Sequence, residues 1–222
     1  MKIKLLYIAV AHFFLQCKYN IITLIKYRKF KKFIATWLRL KCSYLLCSAY
    51  TFSKLFLINN NSQDIYLYGE TPLLTMDYIA KQANITSRDH VYEIGAGAGF
   101  TCIWLHEIIG CKVTAIEQVP KFCNILVKNC SRLTNLEVIC NDFLLVDYSK
   151  ASVIYLYGSN LDKNTICKLI DLLLTTKANT TIITVSWQLL SFIDSNKLFT
   201  LEKKLEVKYD WGTADVYIQK KI

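Results

Sequence analysis

The chain has 222 residues, 53% of them hydrophobic, with two prolines and seven glycines. That is enough apolar material for a folded core, and it excludes a largely disordered chain. Nine cysteines, an odd number with no C-x-x-C spacing, exclude a paired disulfide framework and a clustered zinc site; they indicate no metal and a reducing, cytoplasmic setting.

The formal net charge of +10 is not evenly spread. Residues 1–60 hold eleven Lys and Arg and no Asp or Glu, so the remainder is close to neutral. Lys2 and Lys4 precede LLYIAVAHFFLQC, which resembles the charged start and apolar middle of a signal peptide. The small-x-small cleavage site is missing at Leu15-Gln16-Cys17. No uncharged stretch in this segment reaches the ~18 residues needed to span a bilayer. Beyond it, apolar and basic positions alternate at roughly helical spacing, which predicts helices. Three uses are open to them: packing on the rest of the chain with a basic outer face, lying on an anionic membrane surface, or holding nucleic acid or an acidic protein. Trp37, the tyrosines and the basic cluster at 26–32 suit the membrane surface.

The polar run at 59–64 marks a boundary, giving a basic amphipathic helical extension over 1–60 and a second unit over 61–222. Tyr68-Gly69-Glu70 reads as a loop. Thr71 and Pro72 read as the N-cap and first residue of a helix that presents Leu73, Met76, Ile79 and Ala80 inward. His90-Val-Tyr-Glu-Ile94 is then a short strand, followed by a turn with glycines at 95, 97 and 99 and a helix over 100–109. A dinucleotide turn of the form G-x-G-x-x-G would need glycine where Phe100 stands; the pattern here is E-x-G-x-G-x-G. The carboxylate of Glu93 in such a turn repels phosphate and attracts ammonium, which points to S-adenosylmethionine (SAM) as cofactor. Glu117 ends the next strand, KVTAIE, and is placed to accept both ribose hydroxyls.

Pro120 opens a helix, and Leu136–Cys140 is a third strand with Asn141, Asp142 and Phe143 just beyond it. In a SAM site Asp142 can bond the adenine amino group while Phe143 packs on the ring. A fourth strand over 151–156, buried on both faces, runs into Tyr157-Gly158-Ser159-Asn160, which borders the methyl group in any such fold. A helix over 162–176, a fifth strand over 180–185 and a final antiparallel pair over 205–209 and 214–219 complete seven strands. Cys102 and Cys140 read as residues of apolar faces, His90 as a strand-edge residue and His106 as a helix-surface residue.

With these residues in place the chain resembles a class I, seven-strand SAM-dependent methyltransferase. Its expected fold is therefore α/β, a Rossmann-like and mostly parallel sheet with an antiparallel hairpin at the C-terminus. More narrowly it resembles the non-SET histone-lysine methyltransferases (disruptor of telomeric silencing) and their bacterial relatives, through YGET at 68–71, YEIGAGAG at 92–99 and NDFL at 141–144. That resemblance implies that Tyr68, Glu70 and Thr71 close over the methionine part of SAM, and that Glu93 with Gly95, Ala96, Gly97 and Gly99 takes its amino-acid end. It also implies Glu117 on the ribose and Asp142 with Phe143 on the adenine. The family carries an Asn-Asn pair where this chain has Tyr157-Gly158. Tyr68 and Tyr157 are the candidate catalytic residues, walling an apolar channel that would desolvate a lysine ammonium. A protein lysine is accordingly the expected acceptor. RNA or a small molecule is the alternative acceptor, and a membrane-associated SAM-binding protein without catalysis is a third reading. The N-P-P-Y motif of enzymes that methylate nucleic-acid amines is absent, which counts against a base as acceptor.

Overall fold

The computed structural model describes residues 2–62, 64–158, 161–193 and 198–222, with side chains from Phe14 onward. Three helices come first: α1 (Lys2–Tyr27), α2 (Lys31–Ser43) and α3 (Ala49–Asn59). Then follow α4 (Leu73–Gln82), β1 (His90–Ile94), α5 (Phe100–Trp104), β2 (Lys112–Glu117), α6 (Pro120–Cys130) and β3 (Leu136–Cys140). The chain ends with β4 (Val153–Leu156), α7 (Lys163–Leu173), β5 (Thr181–Val185), β6 (Phe199–Tyr209) and β7 (Gly212–Lys221). The strands form one sheet in the order β3-β2-β1-β4-β5-β7-β6. The first five are parallel, and β7 runs antiparallel to both β5 and β6. This is the Rossmann-like methyltransferase sheet expected from the sequence. Its strand order reverses between β1 and β4, where open α/β sheets leave a crevice at the carboxyl ends.

Alternation along each strand sends side chains to two separate cores. Val91, Val113, Ala115, Val153, Tyr155 and Ile183 face α4, α5 and α6 through Met76, Ile79, Trp104 and Leu126. On the other face Tyr92, Ile94, Ile116, Ile154 and Ile182 meet Ile166, Leu169, Ile170 and Leu173 of α7. The inward set expected of α4 (Leu73, Met76, Ile79, Ala80) is buried.

The N-terminal helices join the first core. Tyr27, Phe33, Trp37 and Leu40 are buried in it, with the Tyr27 ring 5.4 Å from Phe33 and 6.3 Å from Trp104. Lys26 fastens α1 to α4 through Asp77 at 2.7 Å. Of the three uses open to these helices, packing on the rest of the chain is one the structure displays. Among the described residues no helix is long and apolar enough to cross a membrane.

Several local expectations are corrected. Pro72 has ψ 142°, so it is the N-cap and α4 begins at Leu73; the hydroxyl of Thr71 bonds Tyr155 instead of capping. The helix after the glycine turn changes at Leu105 to a π-helical turn that ends at Gly110, and His106 on it is half-buried. His90 opens β1, which is central in the sheet and not at its edge; its Nε2 lies 2.8 Å from Thr114 Oγ1. Cys102 is buried as expected, but Cys140 is exposed at the end of β3. Asp162 caps α7, accepting from Thr165 N at 3.0 Å, and the helix stops at Leu173. The last two strands are much longer than their apolar cores, because ladder hydrogen bonds do not depend on side-chain burial and a charged edge strand resists further pairing. Tyr209 pairs directly with Gly212, so the hairpin turn is only Asp210-Trp211.

Candidate functional site

Parallel register brings the ends of three strands together. Glu93 lies opposite Ala115 and Tyr155, Ile94 opposite Ile116 and Leu156, and Glu117 opposite Cys140. At these ends is a cavity of ≈ 200 Å³ whose floor is Ile94, Ile116 and Leu156 and whose rim includes Gly95, Gly97 and Glu117. Gly95 has φ +73°, and a Cβ there would meet nothing within 4 Å, so a side chain would stand in open space that the glycine leaves to a ligand. A Cβ on Gly97 (φ +53°) would come within 2.9 Å of the Tyr68 ring, so glycine is required there twice over.

Glu117 is 6% exposed and holds the turn together. Its Oε2 accepts from Gly97 N at 2.7 Å, and its Oε1 accepts from Gln118 N and Val119 N, each at 2.8 Å. Burial raises its pKa, and the three amides oppose that rise. Across the cavity stand Asn141 and Phe143. Asp142, expected to face a ligand, instead points its Oδ1 at Leu144 N (2.9 Å) to cap a short turn, and it is exposed. The residues on the cavity at that position are its two neighbours.

A second, smaller cavity of ≈ 30 Å³ borders Glu93, Ala96, Gly99, Glu70 and Thr71. Glu93 is 3% exposed. It accepts from the Thr101 hydroxyl and from Cys102 Sγ at 3.0 Å. Burial pushes its carboxyl up to about 7, against those two hydrogen bonds. Tyr68 and Tyr157 line both cavities and so stand where they meet. The Tyr68 hydroxyl donates to Glu70 Oε1 at 2.8 Å and accepts from Ala98 N at 3.1 Å. Burial and the Glu70 charge hold it well above its ordinary pKa, so it remains a donor. Tyr157 OH accepts from the indole of Trp211 at 2.6 Å. Trp211 stacks on Tyr209 (5.5 Å, 14°) and is 56% exposed.

The structure thus gathers Tyr68, Glu70, Thr71, Glu93, the glycine turn, Glu117, Phe143 and Tyr157, and leaves Asp142 off both cavities. Ser159 and Asn160 lie outside the described residues. Sequence reasoning missed Ser53, Phe56 and Leu57 of α3, which wall the larger cavity; nothing in that apolar stretch distinguishes a cavity wall from a core face. It also missed Trp211, whose one signal was an aromatic residue in a turn. Among the described residues no group of three or more His, Cys, Asp and Glu could hold a metal.

The donor set fits SAM. An apolar floor with Phe143 suits an adenosine, and a buried carboxylate at Glu93, raised by desolvation, is suited to an α-ammonium. No curated protein matches the chain. Among solved structures it is similar in fold to an RNA methyltransferase from Salinibacter ruber in complex with S-adenosyl-L-homocysteine, at TM-score 0.56 and 20% identity over 68% of this chain and 93% of that one. It is also similar to MtNAS in complex with MTA and tNA (TM-score 0.54, 16% identity, 68% of this chain and 60% of that one). A third is TrmN from Thermus thermophilus (TM-score 0.55, 13% identity, 66% of this chain and 48% of that one). These likenesses show the class I methyltransferase fold, which uses SAM. The family model of the ribosomal RNA adenine dimethylases matches residues 70–188, more than half of the chain, and the protein therefore belongs to that family of SAM-dependent methyltransferases.

Proposed function

We propose that the protein transfers a methyl group from SAM to RNA. The observation that carries this reading is the family match over 70–188, which contains every strand end of the site. Two features of the site support it. The outer face of Trp211, backed on its inner side by Tyr209, is a flat aromatic surface beside Tyr157, suited to stacking a planar base. The segment 1–60, which contributes α3 to the cavity wall, supplies basic charge without a single acid.

In this reading the larger cavity takes the adenosine end, with Glu117 on the ribose and Asn141 and Phe143 at the adenine. Glu93 and the 95–99 turn take the amino-acid end in the smaller cavity. Bound there, SAM supplies an electrophilic methyl on a sulfonium sulfur. Tyr68, Glu70 and Thr71 close over its methionine part, and Tyr68 with Tyr157 excludes water where an acceptor enters. Placement supplies much of the rate in such a transfer. Residues 1–60 are a helical extension to a methyltransferase domain over 61–222, with α3 completing that domain's cavity.

A protein-lysine acceptor is the second reading. It rests on Tyr68-Gly69-Glu70-Thr71 and on the absence of N-P-P-Y, and the comparisons lend the histone-lysine family no specific support. Incubation of the purified chain with labelled SAM and a lysate, followed by nuclease or protease digestion, separates the two. Label lost to nuclease and recovered on a nucleoside by mass spectrometry is the expected result; label confined to lysine replaces RNA with protein.

A further inference from the structure

Two faces of α1 differ sharply. Thr23 and Tyr27 are buried against the core. On the opposite side, at helical spacing, Ile21 is 56%, Leu24 37% and Ile25 59% exposed; exposed Lys18 precedes them on the helix and exposed Arg28 follows in the turn just past its end. Among the described residues, eleven of the eighteen exposed large hydrophobic side chains fall within 1–60, the same segment that carries all the excess positive charge. A helix that merely covers a core presents a polar outer face, so an apolar stripe between cations calls for a second partner.

We infer that this face of α1 lies on an anionic lipid surface. The chemistry selects among partners. Isoleucine and leucine give nucleic acid neither a hydrogen bond nor a stacking face. A second copy would bring two acid-free, basic segments together, and the like charges repel. A bilayer with anionic headgroups accepts both features at once: side chains at 21, 24 and 25 enter the acyl boundary, and Lys18 and Arg28 extend to the headgroups. The Lys26–Asp77 pair and the Tyr27–Phe33–Trp104 cluster attach the C-terminal end of the helix to the core, with this face turned outward. The inference stands apart from the choice of acceptor.

The test is co-sedimentation of the full chain with vesicles of phosphatidylcholine alone or mixed with phosphatidylglycerol, over a range of salt. The wild type should pellet with the anionic vesicles and be released as salt rises. The double variant Ile21→Ser/Ile25→Ser should lose at least about tenfold in partitioning, and Lys18→Gln/Arg28→Gln should lose the preference for phosphatidylglycerol. Both variants should keep their affinity for SAM, which shows that they are folded. Failure of the wild type to bind either vesicle overturns the inference, as does binding that Ile21→Ser/Ile25→Ser leaves unchanged. A dimer by light scattering that this variant dissociates, without vesicle binding, assigns the face to a second copy. RNA retention lost in the charge variant, again without vesicle binding, assigns it to nucleic acid.

Discussion

The ends of β1 and β2 each carry a buried glutamate at the rim of one crevice, and burial raises the pKa of both, yet the chain supplies them with different partners. Glu117 receives three backbone amides, so its negative charge is distributed over fixed donors. Glu93 receives a hydroxyl and a thiol, and its carboxyl sits near neutral pH at about 7. One acid already carries three donors from the chain and shapes the turn. The other is costly to ionise and gains most from an incoming cation. Position at a strand end therefore does not assign a role; the partners already supplied by the chain do.

The largest effect expected from this difference is on pH. A carboxyl whose pKa rises on folding, from 4.5 to about 7, contributes stability that is fully present below 4.5 and is lost as pH rises through 7. For Glu93 that loss is roughly 3 kcal/mol. Thermal melts of the ligand-free protein should therefore fall between pH 5 and pH 8, and Glu93→Gln should flatten the curve while weakening SAM binding. Because an ammonium favours the ionised form, SAM affinity of the wild type should rise through this range, with proton release measurable by calorimetry in two buffers. A pH-independent melt would remove the contrast between the two acids.

Next in size, Glu117→Ala strands the amides of residues 97, 118 and 119, which should cost about 2 kcal/mol of stability and at least as much in SAM affinity. Denaturant unfolding and calorimetry read the two separately; affinity lost with stability intact would make Glu117 a ligand contact alone. Tyr68→Phe removes the bonds to Glu70 and Ala98, and about 1 kcal/mol of SAM affinity should go with them. The smallest change belongs to the end of β3. Asp142→Ala should alter SAM affinity by no more than about 0.5 kcal/mol, because its carboxylate serves Leu144 and not the cavity. A tenfold loss there would restore Asp142 as an adenine contact.

Much of this was legible in the chain. The strands His90–Ile94 and Lys112–Glu117 are short, mostly apolar runs with an acid at or next to the last position, and the glycine turn leaves one reading for the backbone. Tyr68 was placed only through its motif; its bridge from Glu70 to Ala98 depends on a fold that sets residue 68 over residue 97. Asp142 misled because a carboxylate beside a short turn bonds the nearest free amide, a local competition that spacing does not reveal. The α3 wall was illegible for another reason. Ser53, Phe56 and Leu57 become site residues through tertiary packing alone, and their neighbours in sequence carry no trace of it.

That α3 wall bears on the order in which the molecule is made. One side of the larger cavity is Ser53 and the other is Leu161, so the cavity cannot close until most of the chain has left the ribosome. Translation proceeds at ≈ 5–20 residues per second, and throughout that interval α1 to α3 have no sheet to cover. Their inward residues Tyr27, Phe33 and Leu40 face water together with the outward Ile21 and Ile25. The nascent segment is then at its most adhesive, before the sheet that it covers exists.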